Sequence, residues 1–139
     1  MILIDTSAWV DFLRDAEKGA CSRVEALLAR DAAIATTEVV VMEVLAGARD
    51  EVHQMRLRRL LRRAELLAIT GLDDYERAAE LYRTCRRAGD TIRKLTDCLI
   101  AVVALRNGAA VLHNDRDFDA IARHAPLALA PWSHDGGDR

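Results

Sequence analysis

The chain has 139 residues, of which 51% are hydrophobic and 30% are charged, and its formal net charge at pH 7 is −2. This balance excludes a disordered chain. It also argues against a membrane protein, because the longest apolar run, CLIAVVAL, is far shorter than the roughly 18 residues that a span requires. The length fits one domain, and we expect residues 1–139 to form it, with a loose tail over about 132–139.

The cysteines and the N-terminal segment indicate where the protein works. Cys21, Cys85 and Cys98 show no CxxC spacing and cannot all pair, which favours a reducing compartment. Asp5 and Asp11 interrupt the N-terminal apolar residues, so no signal peptide is expected. We therefore expect a cytoplasmic protein without membrane contact.

The first half of the chain alternates strands with helices. MILI predicts a strand, TSAWVDFLRD a helix and AAIAT a second strand. A further helix is predicted over about 38–46, with Gly47 at its end. DEVHQMRLRRLLRRA is amphipathic, and its apolar face is expected to carry Val52, Met55 and Leu60.

The second half continues the alternation. LLAIT predicts a third strand, and Asp73 with Glu76 predicts a capping pair for a helix that runs through Arg87. Another helix is predicted over about 96–107, followed by a fourth strand at AAVLH. DFDAIARH predicts a short helix, which Asp119 is expected to begin, and LALA predicts a possible fifth strand.

This alternation predicts an α/β fold. Strands joined by helices imply right-handed crossovers and a mostly parallel sheet of four or five strands, with helices on both faces. In such sheets, functional groups gather beyond the carboxyl ends of the strands, where the strand order reverses. Asp5 and Asp115 each follow a predicted strand, so both should lie at that edge.

Two apolar helices each carry an isolated acid. Glu43 and Asp97 have no cation three or four residues further along their helices, so a buried carboxylate at either position needs some other partner. Each acid alone has a structural explanation. Asp5 or Asp115 could cap a helix, Asp97 could be stabilised by the helix dipole, and Glu43 could bond the backbone.

Acids that share one pocket repel one another, and a divalent cation relieves that repulsion. Oxygen ligands suit Mg²⁺ or Mn²⁺, whereas zinc usually recruits His or Cys at recognisable spacing. Such spacing is absent from the four histidines of the sequence, which are His53, His113, His124 and His134. Asp117 lies two residues after Asp115 and could join the same site.

Four segments carry a family resemblance over essentially the whole chain. They are IDTSAWVDFL, VVVMEVLAGA, GDTIRKLTDCLIAVVAL and HNDRDFDAIA. In this order and at these separations they resemble the PIN-domain family, and in particular the VapC-type toxin ribonucleases of bacterial toxin–antitoxin pairs. The resemblance implies a PIN-like three-layer sandwich.

The resemblance also assigns site residues. It implies a catalytic, metal-binding acidic quartet formed by Asp5, Glu43, Asp97 and Asp115. It gives Asp117 an auxiliary metal-binding position and makes Thr6 and Ser7 hydrogen-bonding supports of the site. Asn114 stands where the family often has Thr or Ser, which leaves its supporting role open.

The implied activity is hydrolysis of RNA phosphodiester bonds with Mg²⁺ or Mn²⁺, by a homodimer that a VapB-like antitoxin inhibits. Four basic residues lead towards the Asp97 helix and are expected to hold RNA, namely Arg86, Arg87, Arg93 and Lys94. The cluster over 56–63 is about as well explained as a solvated helix face.

An antitoxin helix would need an apolar groove. Its candidate residues are Trp9, Phe12, Val44 and Leu45, although core positions are favoured for Trp9 and Phe12.

Two other functions fit parts of the sequence. A phosphatase of the HAD type would carry DxD after its first strand, whereas Asp5 is followed by Thr6 and Ser7. A non-catalytic interaction module with a degenerate pocket is the stronger rival, since a fold can outlive its activity.

Overall fold

The sheet is short and entirely parallel in the computed structural model, which describes residues 1–14 and 20–131. Its strands are β1 (Ile2–Ile4), β2 (Ile34–Thr36), β3 (Glu65–Leu66) and β4 (Ala110–Leu112). Their order across the sheet is β3-β2-β1-β4, and Ile2 lies opposite Ile34 on one side and Ala110 on the other. The chain therefore adds strands outward from β1 and then returns to pair β4 with the free side of β1.

The structure describes seven helices, and the first six divide into two groups by the strands that they connect. They are α1 (Thr6–Arg14), α2 (Ala20–Ala29), α3 (Glu38–Ala46), α4 (Glu51–Leu61), α5 (Leu72–Arg87), α6 (Leu95–Asn107) and α7 (Arg116–Ala122). Helices α1 to α4 connect β1 to β2 and β2 to β3, whereas α5 and α6 connect β3 back to β4. Because crossovers are right-handed, the two groups cover opposite faces of the sheet. This confirms the predicted α/β fold.

Helix α6 is the most buried helix of the described residues. All of its side chains from Asp97 to Ala104 are buried, which explains why that segment is apolar nearly all round. Its end is set by Gly108, whose φ of 66° is a left-handed conformation that favours glycine. No helix within residues 1–14 and 20–131 combines the length and apolar character needed to cross a bilayer.

The apolar face predicted for α4 is wrong at Val52 and Met55. Val52 and Met55 are each 60% exposed, whereas Leu57 and Leu61 are buried and Leu60 is half-buried. The sequence holds two apolar stripes on this helix, and the one formed by the leucines packs into the hydrophobic core.

Among the described residues the sheet has four strands, within the predicted range, but the strands are shorter than the sequence predicted. Strand β3 has only two residues, although the N–H of Leu67 still donates to the carbonyl of Thr36 at 2.8 Å. LALA forms a single bridge, between Val111 and Leu129, instead of a fifth strand. Helix α2 was not predicted, and it buries Val24 with its neighbouring leucines.

The predicted capping pair of Asp73 and Glu76 is also wrong. Helix α5 begins after Gly71, without a side-chain cap from that residue. The adjacent Asp74 supplies the bond instead, since its Oδ2 accepts from the N–H of Thr70 at 2.8 Å. The acid that bonds the backbone at the start of α5 is therefore the buried Asp74, one residue after the exposed Asp73 that the sequence predicted.

Asp74 and Arg106 join the start of α5 to the end of α6. The Arg106 guanidinium donates to both carboxylate oxygens of Asp74, at 3.2 and 2.8 Å, and to the carbonyl of Ala68 at 2.8 Å. The hydrogen bonds from Arg106 hold the pKa of the Asp74 carboxyl below its usual value of 3.8, despite burial.

Replacing this acid tests the link between the helices. Asp74→Asn should lower the free energy of unfolding by about 1.5 to 3 kcal/mol at pH 7, because a charged hydrogen-bonded pair is broken. The difference should shrink as the pH falls below 3.8, where wild-type Asp74 takes up its proton. Urea denaturation at several pH values measures both effects.

Asp73→Asn is the matched control. Asp73 pairs with Arg77 at 3.0 Å, but both side chains are 68% exposed, so the loss should stay below about 1 kcal/mol. Equal losses for the two variants would show that the buried pair of Asp74 and Arg106 contributes no more to stability than an exposed ion pair.

Candidate functional site

The carboxyl ends of β1 and β4 bring two segments together at the point where the strand order reverses. Asp5 directly follows β1, and its N–H donates to the carbonyl of Leu112, the last residue of β4, at 2.9 Å. The Ser7 hydroxyl accepts from the N–H of Asn114 at 2.8 Å, so the two loops beyond the strands are also joined. The acids of both loops therefore face one crevice.

Asp5 is fully buried and only half of its carboxylate is satisfied. Its Oδ2 accepts from the N–H and hydroxyl of Ser7, at 2.9 and 2.6 Å, whereas Oδ1 has no hydrogen-bond partner among the described residues. Burial raises the pKa of Asp5 above 3.8, although the bonds from Ser7 oppose the shift. Ser7 thus fixes the carboxylate and leaves one oxygen available for a ligand.

Asp97 lies in the first turn of α6 and is the least satisfied acid of the site. Its side chain is buried, and within the described part of the chain neither carboxylate oxygen has a hydrogen-bond partner. Burial, followed by the charge of Asp5, raises the pKa of Asp97 from 3.8 to about 9. A buried carboxyl without hydrogen-bond partners indicates a ligand site.

Asp115 and Asp117 flank the start of α7. Asp115 is the N-cap and accepts from the N–H of Asp117 at 2.9 Å, so the helix begins at Arg116 and the prediction that Asp119 begins it is wrong. Burial alone would raise the pKa of Asp115, but that hydrogen bond and the Lys94 ammonium hold it below 3.8. Asp115 is thus ready to bind a cation.

The Asp117 carboxylate joins α7 to the segment before α6. It accepts from the N–H groups of Arg93 and Lys94, at 3.2 and 3.0 Å. These bonds fix the turn from which α6 begins, so Asp117 has a structural role in addition to any metal binding.

Three acids are close enough to hold one ion. Asp97, Asp115 and Asp117 each offer an oxygen, and these oxygens lie within 4.8 Å of one another. The unpartnered oxygens of Asp97 and Asp5 show that the surrounding protein does not satisfy this donor set. Oxygen-only donors suit Mg²⁺ or Mn²⁺, so the residues fit the predicted metal.

Glu43 is linked only indirectly to the acidic cluster, which consists of Asp97, Asp115 and Asp117. It is not part of the group of three acids, and its oxygens accept from the hydroxyls of Thr6 at 2.6 Å and Thr96 at 3.4 Å. Thr6 directly follows Asp5, which lies outside this group, and Thr96 directly precedes Asp97, which belongs to it. Thr96 was missed by the sequence analysis, and its place beside Asp97 was the only available signal.

Two cations at the start of α6 contact the acids. The Arg93 guanidinium lies 3.4 Å from Asp115 and 3.6 Å from Asp117, and the Lys94 ammonium lies 3.4 Å from Asp115 and 3.9 Å from Asp97. Burial alone would lower the pKa of Lys94, but these acids and Asp5 raise it above 10.5. Lys94 therefore remains charged beside the cluster.

Arg86 and Arg87 make other contacts. Arg86 stacks over the ring of Tyr82, 5.5 Å from its centre, and Arg87 lies 3.7 Å from Glu80. Both stand at the exposed end of α5, and neither forms an ion pair with the cluster acids that the structure describes.

The residues predicted to line a partner groove are mostly interior. Trp9 is fully buried and Val44 is buried, whereas Phe12 and Leu45 are half-buried against the core. Trp9 therefore belongs to the core, as the sequence analysis favoured, and it cannot line an open groove.

Comparison with known proteins identifies similar chains. Residues 2–124 match the family described as PIN domain. The chain is 46% identical over 133 residues to Ribonuclease VapC11 of Mycobacterium tuberculosis, which covers 95% of this chain and 99% of that protein. Ribonuclease VapC51 of the same organism is 33% identical over 120 residues, covering 86% and 84%. The solved structure of VapBC2 from Rickettsia felis, bound to a DNA fragment from their promoter, aligns with a TM-score of 0.75, 25% identity and coverage of 96% and 100%.

The unpartnered carboxyl of Asp97 should cost stability. In EDTA, Asp97→Asn should raise the free energy of unfolding by about 0.5 to 2 kcal/mol at pH 7, the usual gain from relieving a functional-site conflict. The gain should grow from pH 5 to pH 8, because folded wild-type protein must keep a proton that its unfolded chain releases above pH 3.8.

Chemical denaturation with EDTA present measures this difference. Glu76→Gln replaces an exposed acid of α5 and is the control. It should change the free energy of unfolding by less than about 0.5 kcal/mol. A destabilised Asp97→Asn variant across this pH range would contradict the account of the site.

Proposed function

The chain belongs to the PIN-domain family, with VapC ribonucleases among its relatives, and we propose that it is an endoribonuclease that requires Mg²⁺ or Mn²⁺ and acts as the toxin of a toxin–antitoxin pair. The observation that carries the proposal is the buried, unpartnered carboxyl of Asp97 within 4.8 Å reach of oxygens from Asp115 and Asp117. The family membership confirms the resemblance seen in the sequence.

The side chains have distinct proposed roles. Asp97, Asp115 and Asp117 would hold the cation, with Asp5 beside them and Glu43 positioning the adjacent threonines. When bound, a divalent cation supplies an activated water and stabilises charge on the phosphate and the leaving oxygen. The remaining task of the protein is to hold the acids rigidly.

Ser7 is not a covalent nucleophile in this proposal. Its hydroxyl donates to Asp5 and accepts from the N–H of Asn114, so it is used for positioning. Asn114 also donates through its side-chain amide to Asp11, which fixes the loop after β4. Ser7, Thr6 and Asn114 thus support the acids without contacting substrate.

The rival functions fit less well. A binding module has no use for a buried carboxyl that costs stability, whereas an enzyme keeps such strain for its chemistry. A HAD-type phosphatase would need a second acid two residues after Asp5, where the Ser7 hydroxyl instead bonds the first acid.

Cleavage of RNA tests the proposal. Purified protein with Mg²⁺ or Mn²⁺ should cut single-stranded loops of a structured RNA, and EDTA should stop the reaction. Asp97→Asn and Asp115→Asn should each lower the rate by at least about 100-fold, because a direct ligand matters more than a supporting residue. Gel analysis of labelled RNA measures this.

Asp73→Asn, on exposed α5, is the control and should cleave at the wild-type rate. Circular dichroism should show that all three variants fold. Unchanged cleavage in EDTA would reject the metal mechanism, and absence of cleavage with tight binding of a partner would favour the interaction module.

The path of the RNA is proposed to follow a cleft next to the acids. This cleft has a volume of about 410 Å³, and its lining includes Arg93, Arg116 and Arg123 together with the cluster residue Asp117. Arg123 is engaged by Asp90 at 2.9 Å, whereas Arg116 makes no ion pair with another residue that the structure describes. Arg116 is therefore the best-placed phosphate contact, and Arg93, which also contacts Asp115 and Asp117, is a second candidate.

The other predicted RNA contacts differ in position. Lys94 is held by the cluster acids, and Arg86 and Arg87 stand further back on α5, where they would reach only RNA outside the cleft. We keep all three as proposed RNA contacts of secondary importance.

Salt dependence of binding tests this path. Arg116→Gln should weaken binding of a cleavage-resistant RNA and reduce the slope of log affinity against log salt by about one. Arg56→Gln, in the basic segment of α4, should leave both unchanged if that segment is only solvated. Fluorescence anisotropy at several salt concentrations measures the slopes, and equal effects of the two variants would contradict the proposed path.

The partners are proposed from the relatives and from exposed apolar residues. The VapBC2 complex supports a VapB-like antitoxin, and exposed Met42, Val52 and Met55 on α3 and α4 offer it an apolar surface.

Exposed Tyr75 and Leu95 flank an apolar cavity of about 180 Å³ between α5 and α6, which suits a homodimer contact. Free, buried Cys85 and Cys98 are compatible with the proposed cytoplasmic location.

A further inference from the structure

The ammonium of Lys94 contacts the acids that are proposed to hold the cation. Its Nζ lies 3.4 Å from Oδ2 of Asp115 and 3.9 Å from Oδ1 of Asp97. Both acids belong to the group whose oxygens lie within 4.8 Å of one another. Lys94 therefore contacts two of the three carboxylates that a metal ion would use.

The backbone of Lys94 is held more firmly than its side chain. It is the N-cap residue of α6, its N–H donates to Asp117 at 3.0 Å, and its carbonyl accepts from the N–H of Asp97 at 2.9 Å. The side chain is 47% exposed, whereas that of Asp97 is 1% exposed. The ammonium thus reaches in from the mouth of the crevice on a flexible stem and can turn outward without disturbing α6.

Arg93 meets the cluster differently. Its guanidinium contacts Oδ1 of Asp115 and Oδ1 of Asp117, and its side chain is 57% exposed. It makes no ion pair with Asp97 among the described contacts, so it stands at the rim. Lys94 is the cation that reaches the buried, unpartnered acid.

We propose that Lys94 is a built-in competitor of the divalent cation, whose binding to Asp97 and Asp115 displaces the ammonium towards the mouth of the crevice. The inference rests on the proposed metal-dependent function. Mg²⁺ binds carboxylate oxygens at about 2.0 to 2.1 Å, and a metal ion and an ammonium held by the same two carboxylates repel each other strongly. The ammonium thereby weakens metal binding while it neutralises the acids.

Mn²⁺ affinity of the metal-free, full-length protein tests the competition. Isothermal titration calorimetry should show that Lys94→Met binds Mn²⁺ at least about threefold more tightly than wild type, because a competing charge is removed. Lys94→Arg keeps the charge and should bind within about twofold of wild type.

Arg116→Met is the matched control. It removes one positive charge beside both Asp115 and Asp117 in sequence, from a residue without an ion pair to either acid. It should leave Mn²⁺ affinity within about twofold of wild type, so a difference from Lys94→Met isolates direct contact from the general field of the protein.

Thermal unfolding gives a second readout that does not depend on activity. The rise in Tm on adding Mn²⁺ should be larger for Lys94→Met than for wild type, since tighter binding to the folded state stabilises it more. Equal or weaker Mn²⁺ binding by Lys94→Met overturns the inference. Absence of Mn²⁺ binding by both wild type and Lys94→Met overturns the proposed function itself, and the inference with it.

Discussion

Burial of the Asp97 carboxyl without a hydrogen-bond partner among the described residues is the constraint on which the site depends. Burial, followed by the charge of Asp5, disfavours the ionised form of this carboxyl and raises its pKa to about 9. The neighbouring acids are each stabilised separately. Ser7 bonds Asp5, and two backbone N–H groups bond Asp117. The unfavourable burial is thereby concentrated on Asp97, where a bound cation would stabilise the site most.

The sheet topology makes this concentration possible. Because β4 returns to pair with the free side of β1, loops from the two ends of the chain meet at one edge. Helix α6 begins at the same edge, and Asp117 fixes the turn before it through the N–H groups of Arg93 and Lys94. The bonds that set the direction of α6 therefore also set the position of Asp97. Folding and construction of the site share the same hydrogen bonds.

Much of this arrangement could be predicted from the sequence because it rests on local rules. An acid after a buried strand identified Asp5 and Asp115, and an acid alone on an apolar helix identified Glu43 and Asp97. The failures are positions where tertiary contacts choose between equivalent local patterns. Packing against the hydrophobic core selected the buried stripe of α4, and Arg106 selected the structural acid at the start of α5. The core draws residues from most of the chain, and Arg106 lies 32 residues after Asp74, so no local periodicity could identify either contact.

The basic residues show the same limit and explain how the site tolerates its charge. By sequence, Lys94 and Arg87 were equivalent RNA contacts, because both lie on the approach to the Asp97 helix. In the fold, Lys94 lies at the crevice and contacts Asp115, whereas Arg87 contacts Glu80 on α5. A cation inside an acidic cluster lowers repulsion before any metal binds, but it also opposes the metal. The affinity of such a site therefore reflects the balance between these two effects and cannot be read from the number of carboxylates alone.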